Sequence, residues 1–237
     1  MVFAGGLMRL LFIASDPMEF PGILSRATGP QPAKVAVDWA RSARIGDEVL
    51  LVANGAGPSR AAAALDASVA VFRPEAVVST GFCGALDGEL GVADVVVGIS
   101  VDDGVCRYPL RPVISKAAYR CGVIRSISHV AQTAAEKARL HASGAAVVEM
   151  EAAGVALRAQ ALGLPMYCIR AVTDLAGEDM ANNFNSALRP DGHFDTMTIL
   201  RNAVRRPFVR VPELMRLRQR CARAAYVLGD FVADCRF

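Results

Sequence analysis

The chain has 237 residues, of which 53% are hydrophobic and 6% aromatic, and its formal net charge is +3. This apolar content is sufficient for one α/β domain with its own core, so residues 1–237 are predicted to form a single domain. No apolar run approaches the roughly 18 residues that a membrane span requires. Met1 to Ser15 also lacks the pattern of a secretory signal, and both observations favour a cytoplasmic protein.

Charge is unevenly distributed along the chain. Residues 201–237 contain nine Arg and three acidic residues, a balance of +6, whereas residues 1–200 contain 17 basic and 20 acidic residues, a balance of −3. The basic segment has no interleaved aromatic residues and the remainder has no basic stripe, so nucleic-acid binding is not predicted. Residues 196–237 are predicted to be helical, either with a solvated basic face or in peripheral contact with an anionic membrane.

Apolar runs alternate with amphipathic patterns along the chain. The predicted strands are Leu10–Ser15, Glu48–Ala53, Ala76–Thr80, Val95–Val101, Ala145–Met150 and Met166–Val172. The predicted helices are Pro32–Ala43, Ser59–Val71, Ala131–Ala142, Glu151–Ala161, Thr196–Val204 and Pro212–Ala233. Such alternation predicts an α/β fold in which helices cover a mainly parallel sheet.

Carboxylates follow two of these strands. Glu149 and Glu151 occur in the stretch VEMEAAG, and Asp174 ends another apolar strand 23 residues after Glu151. The helix between the two strands completes a β-α-β unit. Because parallel strands present their C-terminal ends to one crevice, Glu151 and Asp174 are predicted to face the same pocket.

Glycine-rich loops follow two further strands, at residues 54–58 (NGAGP) and 80–85 (TGFCGA). Glycines at strand ends allow a ligand to approach the backbone closely. Neither loop is a G-x-G-x-x-G fingerprint or a phosphate-binding loop with its Lys, so no dinucleotide or nucleoside triphosphate cofactor is predicted.

Cysteine and histidine give no pattern typical of a metal site. The six cysteines (83, 106, 121, 168, 221 and 235) lack C-x-x-C spacing and are predicted to be reduced core thiols. His129, His141 and His193 are widely separated and lie beside no paired acids, so no metal is predicted.

The motifs STGFCGAL, VEMEA and RAVTD together resemble those of the purine nucleoside phosphorylase and nucleosidase superfamily, over about Leu10 to Leu175. The resemblance implies a single-domain, three-layer α/β/α fold around a mixed, mostly parallel sheet. It implies cleavage of the N-glycosidic bond of a purine nucleoside such as an adenine nucleoside. It further implies a homo-oligomer that needs no cofactor, with inorganic phosphate as co-substrate if the chain is a phosphorylase.

The resemblance also assigns roles to residues. Asp174 corresponds to the acid that protonates the leaving base, Glu151 to the carboxylate that binds the ribose hydroxyls, and Met150 to the residue beneath the sugar. The remaining substrate-binding positions are Phe82, Cys83, Gly84, Glu149 and Thr173. Bond cleavage builds positive charge on the ribose and negative charge on the base, so these roles are chemically consistent. Asp174 should be desolvated, because burial helps a carboxyl group to keep its proton at neutral pH.

Hydrolysis and phosphorolysis both remain open. Glu19 matches the carboxylate that activates water in nucleosidases, although an exposed loop glutamate is the alternative interpretation. Phosphorylases instead have an early G-D-P-x-R loop. Here Asp16 and Pro17 match part of that loop, but Ser15 replaces the glycine and Arg26 is displaced, so Glu19 slightly favours water.

Two residues of the predicted pocket distinguish this chain. Phe82 and Cys83 occupy positions where nucleosidases usually have small residues, which predicts a more apolar and tighter pocket.

His129 falls in the segment that binds the base, where it would stack on the purine or donate a hydrogen bond to it. A surface or core histidine is the other interpretation.

The C-terminal part resembles the hopanoid-associated members of the superfamily, which are associated with removal of adenine from adenosylhopane in hopanoid biosynthesis. A lipid substrate would account for an apolar pocket entrance and a basic amphipathic tail. The alternative is a helix that only packs on the sheet.

A nucleoside-binding or sensor protein without turnover is the rival function. A flavodoxin-like domain is disfavoured because no phosphate loop follows the first strand. Met1–Leu7 is predicted to be dispensable.

Overall fold

The computed structural model describes residues 7–237, and the predicted dispensable extension therefore falls outside it except for Leu7. The strands are β1 Arg9–Ala14, β2 Thr28–Pro32, β3 Trp39–Ile45, β4 Asp47–Ala53, β5 Ala76–Ala85, β6 Val95–Asp102, β7 Arg107–Pro109, β8 Arg120–Ser126, β9 Ala145–Glu149 and β10 Met166–Asp174. The α-helices are α1 Pro21–Arg26, α2 Pro58–Phe72, α3 Ala134–His141, α4 Ala152–Ala161, α5 Thr196–Val204 and α6 Pro207–Asp234. A 3₁₀ turn, Pro17–Glu19, follows β1.

All ten strands belong to one mixed sheet of order β10-β6-β8-β9-β5-β1-β4-β3-β2, with β7 paired to β6. Because β10 pairs with β5 as well as with β6, five of the strands form a closed ring. Within residues 7–237, five pairings are parallel and five are antiparallel. The predicted α/β fold with a mixed central sheet is confirmed.

Both faces of the sheet are buried, which gives the three layers. Along β1, Leu11 and Ile13 belong to one core cluster, whereas Leu10 and Phe12 belong to the other. The first cluster includes residues of α2 and α4, and the second includes residues of α1 and α6. Strands covered on both faces are apolar at successive positions, as β1 is.

The predicted helix Pro32–Ala43 is wrong. Trp39–Ile45 is β3, which pairs antiparallel with all seven residues of β4, and Thr28–Pro32 is β2 at the free edge of the sheet. The hairpin is possible because Gly46, between β3 and β4, has a φ of +69°. An edge hairpin is half exposed, so its mixture of alanine and arginine has no clean two-residue alternation.

The other differences involve short elements and helix ends. The strands β7 and β8 and the helix α1 were not predicted from the sequence, and α3 begins at Ala134 rather than Ala131 because Thr133 caps it. Helix α6 begins five residues before Pro212, which lies inside it. The predicted helix over residues 196–204 corresponds to α5.

Helices α1 and α6 cross at two glycines. A Cβ atom on Gly229 would lie 2.0 Å from the carbonyl carbon of Gly22, and one on Gly22 would lie 2.0 Å from the carbonyl oxygen of Ala225. The two backbones therefore touch without intervening side chains. This contact holds α1, and with it the preceding turn that carries Glu19, against α6.

All six cysteines are free, as expected, but Cys106 and Cys121 are exposed, so these two are not core thiols. Cys106 lies just before β7 and Cys121 in the exposed first part of β8, two strands that the sequence did not predict. None of the helices between residues 7 and 237 is long and apolar enough to span a bilayer.

Candidate active site

A cavity of about 400 Å³ lies at the ends of β1, β5, β9 and β10. It is lined by all ten residues that the sequence assigned to the site: Glu19, Phe82, Cys83, Gly84, His129, Glu149, Met150, Glu151, Thr173 and Asp174. The predicted placement of Glu151 and Asp174 in one pocket is therefore confirmed. Their catalytic and binding roles stay predictions.

Glu19 is buried, with only 3% of its surface exposed, so it is not an exposed loop glutamate. Its Oε2 accepts hydrogen bonds from the backbone N–H and the hydroxyl of Ser15, at 2.8 and 2.9 Å, and from the N–H of Asp16 at 3.0 Å. Its Oε1 accepts one from the N–H of Phe82 at 2.7 Å. Burial raises the pKa of Glu19, and these hydrogen bonds only partly oppose that effect.

A glycine makes room for this carboxylate. Gly81 has a φ of +133°, and a Cβ atom there would lie 2.2 Å from Oε1 of Glu19. Any side chain at this position would meet the carboxylate and strain the backbone. The glycine of the T-G pair after the predicted strand thus brings β5 next to the Glu19 turn.

Glu149 and Glu151 share one buried cation, Arg170. The guanidinium of Arg170 donates to Oε2 of Glu149 and lies 4.0 Å from Oε2 of Glu151. Glu149 also accepts the backbone N–H groups of Glu151 and Ala152, both at 2.9 Å, and Glu151 accepts the N–H of Gly57 at 3.1 Å. Burial, followed by the charge of Glu149, raises the pKa of Glu151 to about 8.

It follows that Glu151 largely holds a proton at neutral pH in the free protein. A protonated carboxyl group can both donate and accept hydrogen bonds, which suits a diol. The role of Glu151 in binding the ribose hydroxyls stays a prediction.

Arg170 is fully buried in the middle of β10 and was not singled out from the sequence. It donates to the Thr80 carbonyl and the Ser79 hydroxyl, each at 2.7 Å, in addition to Glu149. Buried carboxylates nearby raise the pKa of Arg170 above its already high value. One signal was available, because a lone arginine within an otherwise apolar strand needs buried carboxylate partners.

Asp174 ends β10 beside a second cation that the sequence analysis missed. The Nζ of Lys137, on α3, donates to Oδ2 of Asp174 at 2.5 Å and to the carbonyl of Leu175 at 2.8 Å. The Thr173 hydroxyl lies 3.2 Å from Oδ1 of Asp174. Burial raises the pKa of Asp174, and Lys137 opposes that rise without cancelling it. The Asp174 side chain is 13% exposed, and its role as the acid stays a prediction.

Gly84 is needed for the same reason as Gly81. A Cβ atom on Gly84 would lie 2.7 Å from Oδ2 of Asp174. The two glycines of β5 therefore each admit one carboxylate, Glu19 on one side and Asp174 on the other. Burial also raises the pKa of the Cys83 thiol, so this cysteine is a neutral, apolar part of the wall.

Another part of the cavity wall is apolar and comes from the C-terminal half. It consists of Met180, Phe184, Phe194, Ile199, Leu214 and Leu217. His129 lies near this wall with its Nε2 2.6 Å from Oε1 of Glu136, so one ring nitrogen is already engaged. Residues 7–237 contain no group of three or more His, Cys, Asp or Glu side chains arranged to hold a metal ion.

Comparison with known proteins identifies the family. The sequence model of the phosphorylase superfamily matches residues 41–132 and 117–204, which is more than half of the chain. The chain belongs to the phosphorylase superfamily.

Curated relatives within this superfamily include the 5′-methylthioadenosine/S-adenosylhomocysteine nucleosidase of Chromohalobacter salexigens, which is 26% identical over 65% of this chain and 78% of its own length. The Staphylococcus aureus enzyme of the same name is 27% identical over 64% of this chain and 79% of its own length.

Solved structures share the fold. The nucleosidase of the same type from S. pneumoniae, in complex with a transition-state inhibitor, superposes with a TM-score of 0.71 at 19% identity and covers 96% of this chain and 99% of its own. Futalosine hydrolase of Helicobacter pylori gives 0.67 at 16% identity, with 95% and 97% covered.

Proposed function

We propose that this protein is an enzyme that hydrolyses the N-glycosidic bond of an adenine nucleoside and releases the free base. One observation carries the proposal. Two carboxyl groups whose pKa is raised by burial, Glu19 and Asp174, line the same cavity as Glu149 and Glu151. Nucleoside hydrolysis needs a general acid that protonates the leaving purine and a general base that takes a proton from the attacking water. Similarity to nucleosidases that act on 5′-methylthioadenosine supports the substrate class.

Each group then has a defined role. Asp174 gives a proton to the leaving purine, and Glu19, whose pKa is raised by burial, takes a proton from the attacking water. Glu151 and Glu149 bind the ribose hydroxyls from the Arg170 side, with Met150 beneath the sugar. Phe82 and the apolar wall exclude bulk water, other than the attacking water, from the bond that breaks.

Hydrolysis is favoured over phosphorolysis by the charge of the lining. Among the described residues that line the cavity, five are acidic (Asp16, Glu19, Glu149, Glu151 and Asp174), and Arg218 is the one arginine or lysine. A phosphate dianion would face these carboxylates without a set of arginines to bind it. Water carries no charge and avoids this repulsion.

The test is incubation of the purified protein with adenosine and with 5′-methylthioadenosine, each with and without phosphate, followed by quantification of adenine and the sugar product. We expect adenine release without phosphate. Release that requires phosphate would make the protein a phosphorylase, and tight binding without release would favour the sensor alternative. Asp174→Asn should lower kcat by about 10²-fold or more, whereas the exposed control Glu89→Gln should not change it.

A second candidate concerns the 5′ substituent, and the exposed surface of α5 and α6, two helices that also line the cavity, favours it. Beyond the apolar wall, α5 and the start of α6 expose Met197, Leu200, Val204, Phe208, Val209 and Met215, and Phe208 is 94% exposed. Exposed arginines at 201, 205, 206, 216 and 218 flank them. We propose that this apolar and basic surface contacts an anionic membrane and that the substrate is an adenine nucleoside with a large apolar 5′ group, such as adenosylhopane.

Vesicle flotation tests this candidate. The protein should float with phosphatidylglycerol vesicles and not with phosphatidylcholine vesicles, and Phe208→Glu should abolish flotation. Val105→Glu, at a position 93% exposed elsewhere, is the matched control and should leave flotation intact. Flotation that is unchanged in Phe208→Glu would overturn membrane contact, and a shift to smaller size in that variant would instead indicate that the surface joins copies of a homo-oligomer.

A further inference from the structure

Lys137 is the buried cation that the proposed roles leave unused. It lies in the first half of α3, where it is the one fully buried residue of that helix. Its side chain has no solvent exposure. A lysine removed from water in this way must be compensated by partners, and its Nζ has two, Oδ2 of Asp174 and the carbonyl of Leu175. Its charge thus bears directly on the proposed acid.

Lys137 is the cation hydrogen-bonded to Asp174, and Arg220 is a further cation close enough to interact with it. Glu178 on the following loop raises the pKa of Asp174 slightly, but Glu178 is itself bound by Arg220 of α6, at 2.6 and 2.9 Å. The thiols Cys83 and Cys221 are the other titratable groups nearby, and burial raises the pKa of both, which keeps them neutral.

The arrangement presents a conflict if Asp174 acts alone. An acid must carry a proton when the nucleoside binds, yet an adjacent ammonium group favours the ionised carboxylate. Burial resolves it, because a low-polarity site disfavours separated charge. Lys137 and Asp174 share one transferable proton. They form an ion pair when Nζ holds that proton, and a neutral amine beside a carboxylic acid when Asp174 holds it.

We propose that Lys137 is a positioning residue that supplies, through Asp174, the proton taken by the leaving purine. The inference rests on the proposed function. The electron pair of the glycosidic bond moves to the purine ring, and a purine ring nitrogen takes the proton from the Asp174 carboxyl group. That proton is the one that Nζ of Lys137 passes to the carboxylate, so the pair is left as a neutral amine and a carboxylate. Glu19 takes a proton from water, and solvent exchange returns that proton to Lys137, so the overall reaction consumes one water.

Two variants separate this role from a structural one. Lys137→Arg keeps the positive charge but releases no proton in the working range, so kcat for adenosine should fall by about 10²-fold or more. Lys137→Met leaves the proton on Asp174 alone, so activity should persist in acid while the alkaline limb of the kcat profile moves about one pH unit or more towards acid. If the charge of Lys137 were needed only for the structure, Lys137→Arg would retain activity. Lys137→Met would then lose activity to the same extent at every pH.

A substrate that needs no acid serves as the internal control. Nitrophenyl riboside has a leaving group that departs as a stable anion, so both variants should cleave it as fast as the unmodified protein. Lys34→Met, at an exposed position, is the control substitution and should change neither substrate's rate. Equal losses on both substrates in Lys137→Arg and Lys137→Met would overturn the proposal, because damage to the pocket would then be the cause.

An activity-free measurement keeps the proposal distinct from the proposed function. The sequence has three lysines, at 34, 116 and 137, so lysine labelled with nitrogen-15 gives three side-chain signals. We expect one signal, absent in Lys137→Arg, to move with pH in a step shared with Asp174 and to lose that step in Asp174→Asn. A Lys137 signal unaffected by Asp174→Asn would overturn the shared proton even if nucleosides are cleaved. If the shared titration step is observed but the protein cleaves no nucleoside, only the proposed function is overturned.

Discussion

Glu151 and Asp174 carry the strongest sequence signal at the scale of single residues, because acids seldom end buried strands without a ligand or partner. Both line the cavity as predicted. Their cations, Arg170 and Lys137, were missed for different reasons. Arg170 interrupts an apolar strand and could have been questioned, whereas Lys137 lies in an amphipathic helix where lysine normally faces water. Only the packing of α3 against β9, which brings Lys137 to the end of β10, reveals its burial.

Burial of Glu151 should make stability depend on pH. Its pKa rises from 4.5 in the unfolded chain to about 8 in the folded protein, so the native state binds the extra proton. The group therefore stabilises the fold below about pH 4.5, and that contribution is lost as pH rises through about 8. We expect Glu151→Gln to gain stability relative to the unmodified protein over this range, by an amount on the order of a few kcal/mol.

Thermal unfolding of the two proteins across the same pH range measures this difference. Glu89→Gln, which changes an exposed glutamate, should run parallel to the unmodified protein throughout. A Glu151→Gln curve that is also parallel would mean that Glu151 is not held protonated by the fold.

Removal of Arg170 should have the opposite consequence. Arg170→Met leaves Glu149 without its buried cation and takes positive charge away from Glu151 and Glu19. We expect a loss of about 3–5 kcal/mol in the free energy of unfolding at neutral pH, and a smaller loss in acid where the carboxyl groups are protonated. Urea unfolding at two pH values checks this.

The matched control is Arg44→Met, which removes an exposed arginine paired with Glu48. Exposed pairs contribute about 0–1 kcal/mol, so this change should be small. Equal effects of the two substitutions would show that the carboxyl cluster does not depend on Arg170.

At the scale of elements, the strands with continuous apolar sequence were predicted well and the margins were not. Strands β1, β4, β5, β6, β9 and β10 are buried on both faces, so their sequences alone distinguish them. Strand β2 is exposed throughout, β3 and β8 are only partly buried, and β7 has three residues, so pairing with neighbours decides their conformation. The error over residues 32–43 has this cause.

The close crossing of α1 and α6 can be tested by adding a side chain where the two backbones touch. Gly229→Ala would place a methyl group against the backbone of Gly22, which cannot move aside as a side chain can. We expect a loss of about 1–3 kcal/mol in the free energy of unfolding. The turn that holds Glu19 should shift with α1, so kcat should fall as well.

Gly88→Ala provides the comparison, because a Cβ atom there meets nothing within 4 Å and its φ is not positive. It should leave both the unfolding curve and kcat unchanged. A Gly229→Ala protein as stable and active as Gly88→Ala would contradict a tight backbone contact between α1 and α6.

For the whole molecule, the single sheet supports our proposal that residues 1–237 form one domain, with α5 and α6 as its basic C-terminal segment. All ten described strands join in that sheet, and α6 contacts β10, β5 and β6 as well as α1. We expect one cooperative unfolding transition.

Trp39, the single tryptophan, reports on one end of the sheet, where it stacks on Phe20 at 5.2 Å. Far-ultraviolet circular dichroism reports mainly on the helices. The urea midpoints from the two signals should coincide, and two separated midpoints would divide the chain into units that unfold independently.

The free edge of the sheet has a consequence for handling this protein at high concentration. Strand β2 is the terminal strand of the sheet order, and two of its five residues, Pro30 and Pro32, have no N–H to offer an incoming strand. At the opposite end, β10 is paired on both sides, and among the described strands there only the three-residue β7 keeps an unpaired side. The sheet is thereby protected against growth into fibrils, a hazard that exposed edges create.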